Sequence, residues 1–303
     1  MSTSKKKNQS HKPKPATVGD WISGARIRTL PLAVAPVLIG SGAASILDKF
    51  NAPLALLCLV VALALQIGVN YSNDYSDGIR GTDDFRVGPP RLTGSGAVAP
   101  KRVLAVALAF FAIAAAAGLA IEIMTQLWWI TAIGVLALAA AWFYTGGKRP
   151  YGYAGLGEVM VFIFFGLVAT MGTTYVQAGL VNDESIFGAV GIGFISCAVL
   201  VVNNIRDIPT DTQAGKKTLA VRMGARASAV LFCVLLLLPF GIVTYLGLFY
   251  PAVQLTYLAL LAALPACLIT LTSKSAQEYI LALKLSSLTG LLYGLGLAFA
   301  FFS

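Results

Sequence analysis

The chain has 303 residues, 57% of them hydrophobic and only 12% charged, with a formal charge of +9 and a mean hydropathy of +0.79. Soluble domains carry about 25% charged residues, so the composition excludes a soluble protein and points to a multi-pass membrane bundle. The positive charge serves as a topology signal, which makes nucleic acid an improbable partner and the lipid bilayer the expected surroundings.

Residues 1–20 hold Lys5, Lys6, Lys7, Lys12 and Lys14 with few apolar side chains, and are expected to form a disordered basic tail ahead of a single domain, 21–303. No cleavable signal pattern is evident, and the first apolar run reads as a retained span. Nine apolar stretches then follow, each long enough to cross a bilayer at about 20 residues. They run Ile27–Ile46, Pro53–Tyr71, Val103–Ile121, Leu127–Tyr144, Gly157–Gly179, Ile186–Ile205, Ala227–Leu248, Pro251–Thr272 and Tyr279–Phe302. The expected fold is therefore all-α, a polytopic bundle of nine transmembrane helices.

With nine spans, 21 of the 22 lysines and arginines fall on one face and only Lys49 on the other. The positive-inside rule makes the rich face cytoplasmic, N-terminus included, and the plasma membrane the expected location. On that face the connections about Ser72–Arg102 and Arg206–Arg226 are long, and loops of that length in a compact protein are usually functional. The opposite loops are short. The glycines of Gly94-Ser95-Gly96 read as turn residues. Cys58, Cys197, Cys233 and Cys267 lie apart within the spans, as small buried apolar side chains. The lone histidine, His11, sits in the tail, which argues against a haem-binding subunit and against histidine base catalysis.

Six of the thirteen carboxylates gather in two segments on the cytoplasmic side. The first closes the second span as Asn70-x-x-Asn73-Asp74-x-x-Asp77, followed by Asp83 and Asp84. The second closes the sixth span as Asn203-Asn204-Ile205-Arg206-Asp207-Ile208-Pro209-Thr210-Asp211. Acid at the edge of a membrane is costly and marks function. If helical, Asn70, Asp74 and Asp77 share a face, and such like charges call for a cation. Asp207 and Asp211 have the same spacing, but Pro209 between them weakens a helical reading.

Carboxylate and amide oxygens without His or Cys suit a hard divalent ion. Mg²⁺ typically takes one or two carboxylates and fills its shell with water and phosphate. Lys148, Arg149, Arg206 and Lys216 are candidates to bind the remaining phosphate charge. An anionic head at the cytoplasmic edge with a tail among apolar helices describes a lipid diphosphate. Glu158, near the start of the fifth span, would pair with Lys148 or Arg149.

The two acidic segments resemble the aspartate-rich motifs of the UbiA superfamily of intramembrane prenyltransferases. Asn73-Asp74-x-x-Asp77 matches the start of its first motif, with Asp83 standing two residues late, and Asp207-x-x-x-Asp211 matches its second. Tyr144-x-x-x-Lys148-Arg149 resembles the family's diphosphate-binding element after helix four. Asn73 to Gly78, Gly81-Thr82-Asp83, Arg86 to Pro89 with Arg91, and Arg206 through Ala220 are similar to the branch that acts on 1,4-dihydroxy-2-naphthoate.

The resemblance implies nine helices and Mg²⁺ held by Asp74, Asp77, Asp207, Asp211 and Asp83. It implies that Asn70, Asn73, Tyr144, Lys148, Arg149, Asn203, Arg206, Lys216, Arg86 and Arg91 bind diphosphate and acceptor or support the ligands. The implied reaction moves a polyprenyl group from polyprenyl diphosphate to the naphthoate with loss of CO₂ and diphosphate, giving demethylmenaquinone. A family member with another acceptor, such as 4-hydroxybenzoate, and a cation-coupled transporter are the competing readings.

Overall fold

The computed structural model describes residues 15–82 and 91–303, and among them every regular element is helical. Helix α1 (Val18–Gly24) begins within the segment expected to be tail. Thr17 and Asp20 form a capping box that starts it, each side chain meeting the other's backbone N–H. Arg26, at φ 54°, turns the chain through the left-handed region, and a short 3₁₀ turn at Ile27–Thr29 leads into α2 (Pro31–Ile46). Helix α3 (Ala52–Ile79) is capped by Asn51, whose side chain accepts from the Leu54 N–H. Helix α4 (Pro100–Thr125) opens on proline, which wastes no hydrogen bond in the first turn. After α5 (Ile130–Phe143) and a 3₁₀ turn at Tyr151–Ala154 come α6 (Gly157–Ala178) and α7 (Asp183–Gln213). The short α8 (Leu219–Met223) precedes α9 (Ala225–Leu246), α10 (Pro251–Thr272) and α11 (Ala276–Phe302).

Seven of these helices are long and apolar enough to cross a membrane, or eight if the bent pair Val18–Thr29 and Pro31–Ile46 counts as one. The expected span Leu127–Tyr144 is a 14-residue helix, about 21 Å at 1.5 Å per residue against a hydrocarbon core of about 30 Å. Its length thus falls short of the nine full spans expected. It still returns the chain to the end of the bundle where α3 finishes, because the Thr145 hydroxyl beyond it donates to Asn73 Oδ1 at 2.7 Å. Alternation of the later helices is therefore preserved.

Two expectations about the acidic segments change. Helix α3 continues through Asp77 to Ile79, so the first long connection starts at Arg80 rather than Ser72. Helix α7 continues through Pro209 to Gln213, so Asp207 and Asp211 lie one turn apart on one helix. A proline removes one N–H, here the one that would have met the Ile205 carbonyl one turn back, and neighbouring helices can hold such a turn in place. In the next turn the Thr210 and Thr212 hydroxyls donate to the carbonyls of Asp207 at 3.0 Å and Ile208 at 2.7 Å.

The main core joins α2, α7, α9, α10 and α11 around fully buried Tyr293, Phe232, Ile192 and Leu297. Small residues let the helices approach closely. A Cβ on Gly166 of α6 would stand 2.7 Å from Gly193 Cα of α7. A second cluster, built on Tyr71, Leu92, Val103 and Ala107, seats the segment after residue 90 against α3 and α4. That packing positions the site.

Candidate functional site

The last three turns of α3 carry Asn70, Asn73, Asp74 and Asp77, all buried. Asn70 Nδ2 donates to the Ala25 carbonyl at 3.0 Å and so pins the turn formed by Arg26. Both oxygens of Asp74 are occupied by backbone: Leu92 N–H donates at 2.9 Å and Thr93 N–H at 2.8 Å. Asp77, 1% exposed, meets Arg91 at 2.7 Å and Lys216 Nζ at 3.5 Å, and also accepts from the Tyr153 hydroxyl. Arg91 donates in addition to the Asn73 carbonyl at 2.8 Å. Gly78 makes the close approach possible, since a Cβ there would lie 2.4 Å from Thr93 Cγ2.

The second motif faces the first. Asp211 lies 3.7 Å from the same Lys216 Nζ that meets Asp77. Asp207 accepts two bonds from its neighbour Arg206, Nε to Oδ1 at 2.8 Å and Nη2 to Oδ2 at 2.6 Å. Arg206 also reaches Asn203 Oδ1 at 3.0 Å, while its buried Nη1 meets no hydrogen-bond partner among the described residues. Pairs buried to this degree are held only where their geometry is good, because desolvation competes with the attraction.

Beneath this charged layer lies a cavity of about 620 Å³. Its mouth is bounded by Asn70, Asn73, Asn203, Arg26, Tyr144 and Tyr151, and its walls are mainly aliphatic side chains of α2, α3, α5, α6 and α7. Both Asn73 and Cys58 of α3 line it, so the cavity follows that helix for about 22 Å at 1.5 Å per residue. Glu122, Trp129 and Tyr175 line its other end, where Glu122 accepts from the Thr131 hydroxyl at 2.7 Å. A polar mouth above a deep apolar slot suits an amphiphile with a charged head.

Of the residues singled out in the sequence, Asp74, Asp77, Asp207, Asp211, Asn70, Asn73, Asn203, Arg91, Arg206 and Lys216 are brought to this end, and Tyr144 lines the cavity. Lys148 and Arg149 are exposed, on the loop that Arg80 ties down by donating to the carbonyls of Thr145 and Gly147. Glu158 does not pair with Lys148 or Arg149 but accepts from Asn204 Nδ2 at 3.1 Å. Asp83, Asp84 and Arg86 lie outside the described residues.

The sequence reading missed Tyr153, Thr145 and Arg26. Tyr153 stands where it does because the Lys217 N–H donates to its carbonyl at 2.8 Å and Arg222 donates to Ala154 O at 2.8 Å. Its ring lies 4.6 Å from Lys216 Nζ. Burial first, then the Asp77 charge, pushes its phenol well up, which keeps it a donor. Tyrosine in a short Gly-rich turn beside Lys148-Arg149 was the one available signal.

Helices that bring two acidic motifs together at the mouth of an apolar slot define an intramembrane lipid-handling enzyme. The chain belongs to the UbiA prenyltransferase family, whose model matches residues 33–288. It is 50% identical over 258 residues, 85% of this chain and 83% of the relative, to the "1,4-dihydroxy-2-naphthoate octaprenyltransferase" of Mycobacterium tuberculosis. It is 38% identical over 67% of this chain and 68% of the relative to the protein of that name in Escherichia coli. Two solved structures share the fold. A UbiA homologue from Aeropyrum pernix K1 has a TM-score of 0.64 and 16% identity, covering 85% of this chain and 95% of that one. One from Archaeoglobus fulgidus "bound to GPP and Mg2+" has a TM-score of 0.63 and 15% identity, covering 93% and 99%.

Proposed function

We propose that this chain transfers a polyprenyl group from polyprenyl diphosphate to 1,4-dihydroxy-2-naphthoate, releasing diphosphate and CO₂ and forming the reduced, quinol form of demethylmenaquinone. The observation that carries the reading is the meeting of Asp77 and Asp211, from separate motifs, at one cation over the mouth of the apolar cavity. The relatives' names supply the acceptor.

The donors at the mouth are carboxylate and amide oxygens with no thiol or imidazole among them, a set that fits Mg²⁺. Asp74, Asp77, Asp207 and Asp211 are assigned to the acidic surround, with Asp77 and Asp211 as the pair placed to hold the ion. Among the described residues no three His, Cys, Asp or Glu side chains converge on one point; diphosphate oxygens and water would complete the shell of an ion held by these carboxylates. The ion, when bound, offsets negative charge on the departing diphosphate.

The chain's own groups then have distinct tasks. Lys216, Arg91 and Arg206 add positive charge where the leaving group gathers negative charge. Tyr153 donates a hydrogen bond into the same layer. The aliphatic walls hold the tail and exclude water from the allylic carbon, which would otherwise be captured by it. The allylic C–O bond breaks with its electron pair leaving on diphosphate, and the electron-rich ring carbon that bears the carboxylate attacks the allylic carbon to form the new C–C bond. The electrons of the breaking ring–carboxylate bond return to the ring as CO₂ leaves. The preponderance of Lys and Arg at the acidic end supports a cytoplasmic site in the plasma membrane.

Purified chain given carboxyl-labelled dihydroxynaphthoate, polyprenyl diphosphate and Mg²⁺ should release labelled CO₂, and removal of any one partner should stop the release. No release from the complete mixture, with ion flux in liposomes instead, would refute an enzyme and favour a transporter.

A further inference from the structure

We propose that Lys216 is the resident counter-ion of Asp77 and Asp211, displaced when a divalent cation enters between them and passed on to the diphosphate. The inference deepens the metal-dependent reading above and rests on it.

Asp77 and Asp211 are both buried, come from different helices and bear like charge, so a cation must stand between them or the bundle is destabilised at that point. In the structure Lys216 Nζ fills that role, 3.5 Å from one carboxylate and 3.7 Å from the other. The other cations of the layer are tied down. Arg91 is fixed to Asp77 at 2.7 Å and to the Asn73 carbonyl at 2.8 Å. Arg206 is bound through two nitrogens to Asp207 and through one of them to Asn203 as well.

Lys216 differs in three ways. Its distances exceed the roughly 2.7–2.9 Å of a charge-assisted hydrogen bond. Its ammonium sits on a flexible four-carbon stem. Gly215 before it, at φ 71°, lies just past the end of α7. The carboxylates differ as well. Asp74 has both oxygens committed to the Leu92 and Thr93 amides, and Asp207 has both committed to Arg206. Asp77 also carries Arg91 on Oδ2 and the Tyr153 hydroxyl on Oδ1, so what exchanges is the longer pair of Lys216 contacts to Asp77 and Asp211, and Asp74 is a positioning residue that holds the turn after residue 90. On exchange no covalent bond changes. Nζ leaves the carboxylates, the divalent ion replaces it, and the freed ammonium finds the new negative charge that arrives with the diphosphate.

The test is Mn²⁺ binding to the purified full-length chain in detergent, read by electron paramagnetic resonance without any prenyl substrate. Lys216→Met removes the competitor and should tighten Mn²⁺ about tenfold or more, the low end of what a charge within 4–6 Å does to a carboxylate's proton affinity. Lys216→Arg, which keeps charge and adds bidentate bonds, should weaken it. Prenyl transfer should fall in Lys216→Met although metal binds more tightly. Should Lys216→Met not fold, the arginine variant alone decides, since affinity equal to wild type or tighter overturns the proposal. Equal affinity across all three proteins, with pyrophosphate still promoting Mn²⁺ binding, would overturn the exchange and leave the metal-dependent reading standing. No Mn²⁺ binding under any condition, pyrophosphate included, would overturn both.

Discussion

Asp74→Asn separates anchoring from chemistry. In the wild type one carboxylate accepts from two consecutive backbone amides, Leu92 at 2.9 Å and Thr93 at 2.8 Å. An asparagine keeps one acceptor and turns an NH₂ toward the other N–H. One charge-assisted bond worth about 1.5–3 kcal/mol is lost and a buried donor is left unmet, for a combined cost of about 2–5 kcal/mol. The loss falls on the turn that contains Leu92 and the Gly96 position at φ 71°, and on Arg91, which that turn holds against Asp77. Hydrogen exchange read by mass spectrometry on a peptide spanning 91–98 measures it directly. At 1.4 kcal/mol per tenfold, the Leu92 and Thr93 amides should exchange at least about 30-fold faster. Prenyl transfer should be lost while membrane insertion persists. Asp207→Asn, equally inactive, should leave exchange in this turn unchanged. Unchanged exchange in Asp74→Asn would refute the anchoring argument.

Gly78→Ala should have a related effect by sterics, because the new Cβ meets Thr93 Cγ2 at 2.4 Å and the Gly94 nitrogen at 3.0 Å. Overpacking of this kind costs about 1–3 kcal/mol, so thermal unfolding should come earlier and the affinity for polyprenyl diphosphate should drop. Tyr250, between α9 and α10, donates to Glu184 at 2.6 Å, and that bond is the main reason its phenol is pushed up to about 12. The unfolded phenol ionises near about 10. Its stabilising contribution is therefore complete below that pH and is lost as pH rises from there through about 12. Tyr250→Phe should flatten this alkaline loss, measured as thermal unfolding between pH 9 and 11 on the approach to that range.

Much of this site was legible because acid inside an apolar chain stands out, and because the spacing of Asn70, Asp74 and Asp77 suits a helix whether or not a span ends there. The positions of the spans were legible for the same reason, hydrocarbon being a strong local signal. Pro209 misled because a soluble helix is broken by proline, whereas α7 is buttressed by neighbouring helices. The short α5 misled because Leu127–Tyr144 is apolar throughout, and only the structure shows that helix starting at Ile130. The pairings of Tyr153 and Thr145 were out of reach: their partners Asp77 and Asn73 are 76 and 72 residues away in sequence, and beyond the Gly-rich turn around Tyr153 no local pattern points to them. Lys148 and Arg149 are exposed on a loop that Arg80 fastens, a tie that the sequence alone does not disclose.

The central claim is the reaction itself. It is tested most directly by incubating the purified chain with Mg²⁺, a polyprenyl diphosphate and a panel of aromatic acceptors that includes 1,4-dihydroxy-2-naphthoate and 4-hydroxybenzoate, and reading product masses. The account predicts one principal product, the naphthoate plus a prenyl group minus CO₂, which disappears on chelation and returns with Mg²⁺. A prenylated benzoate in its place, or a naphthoate product formed at full rate after exhaustive chelation, would contradict it.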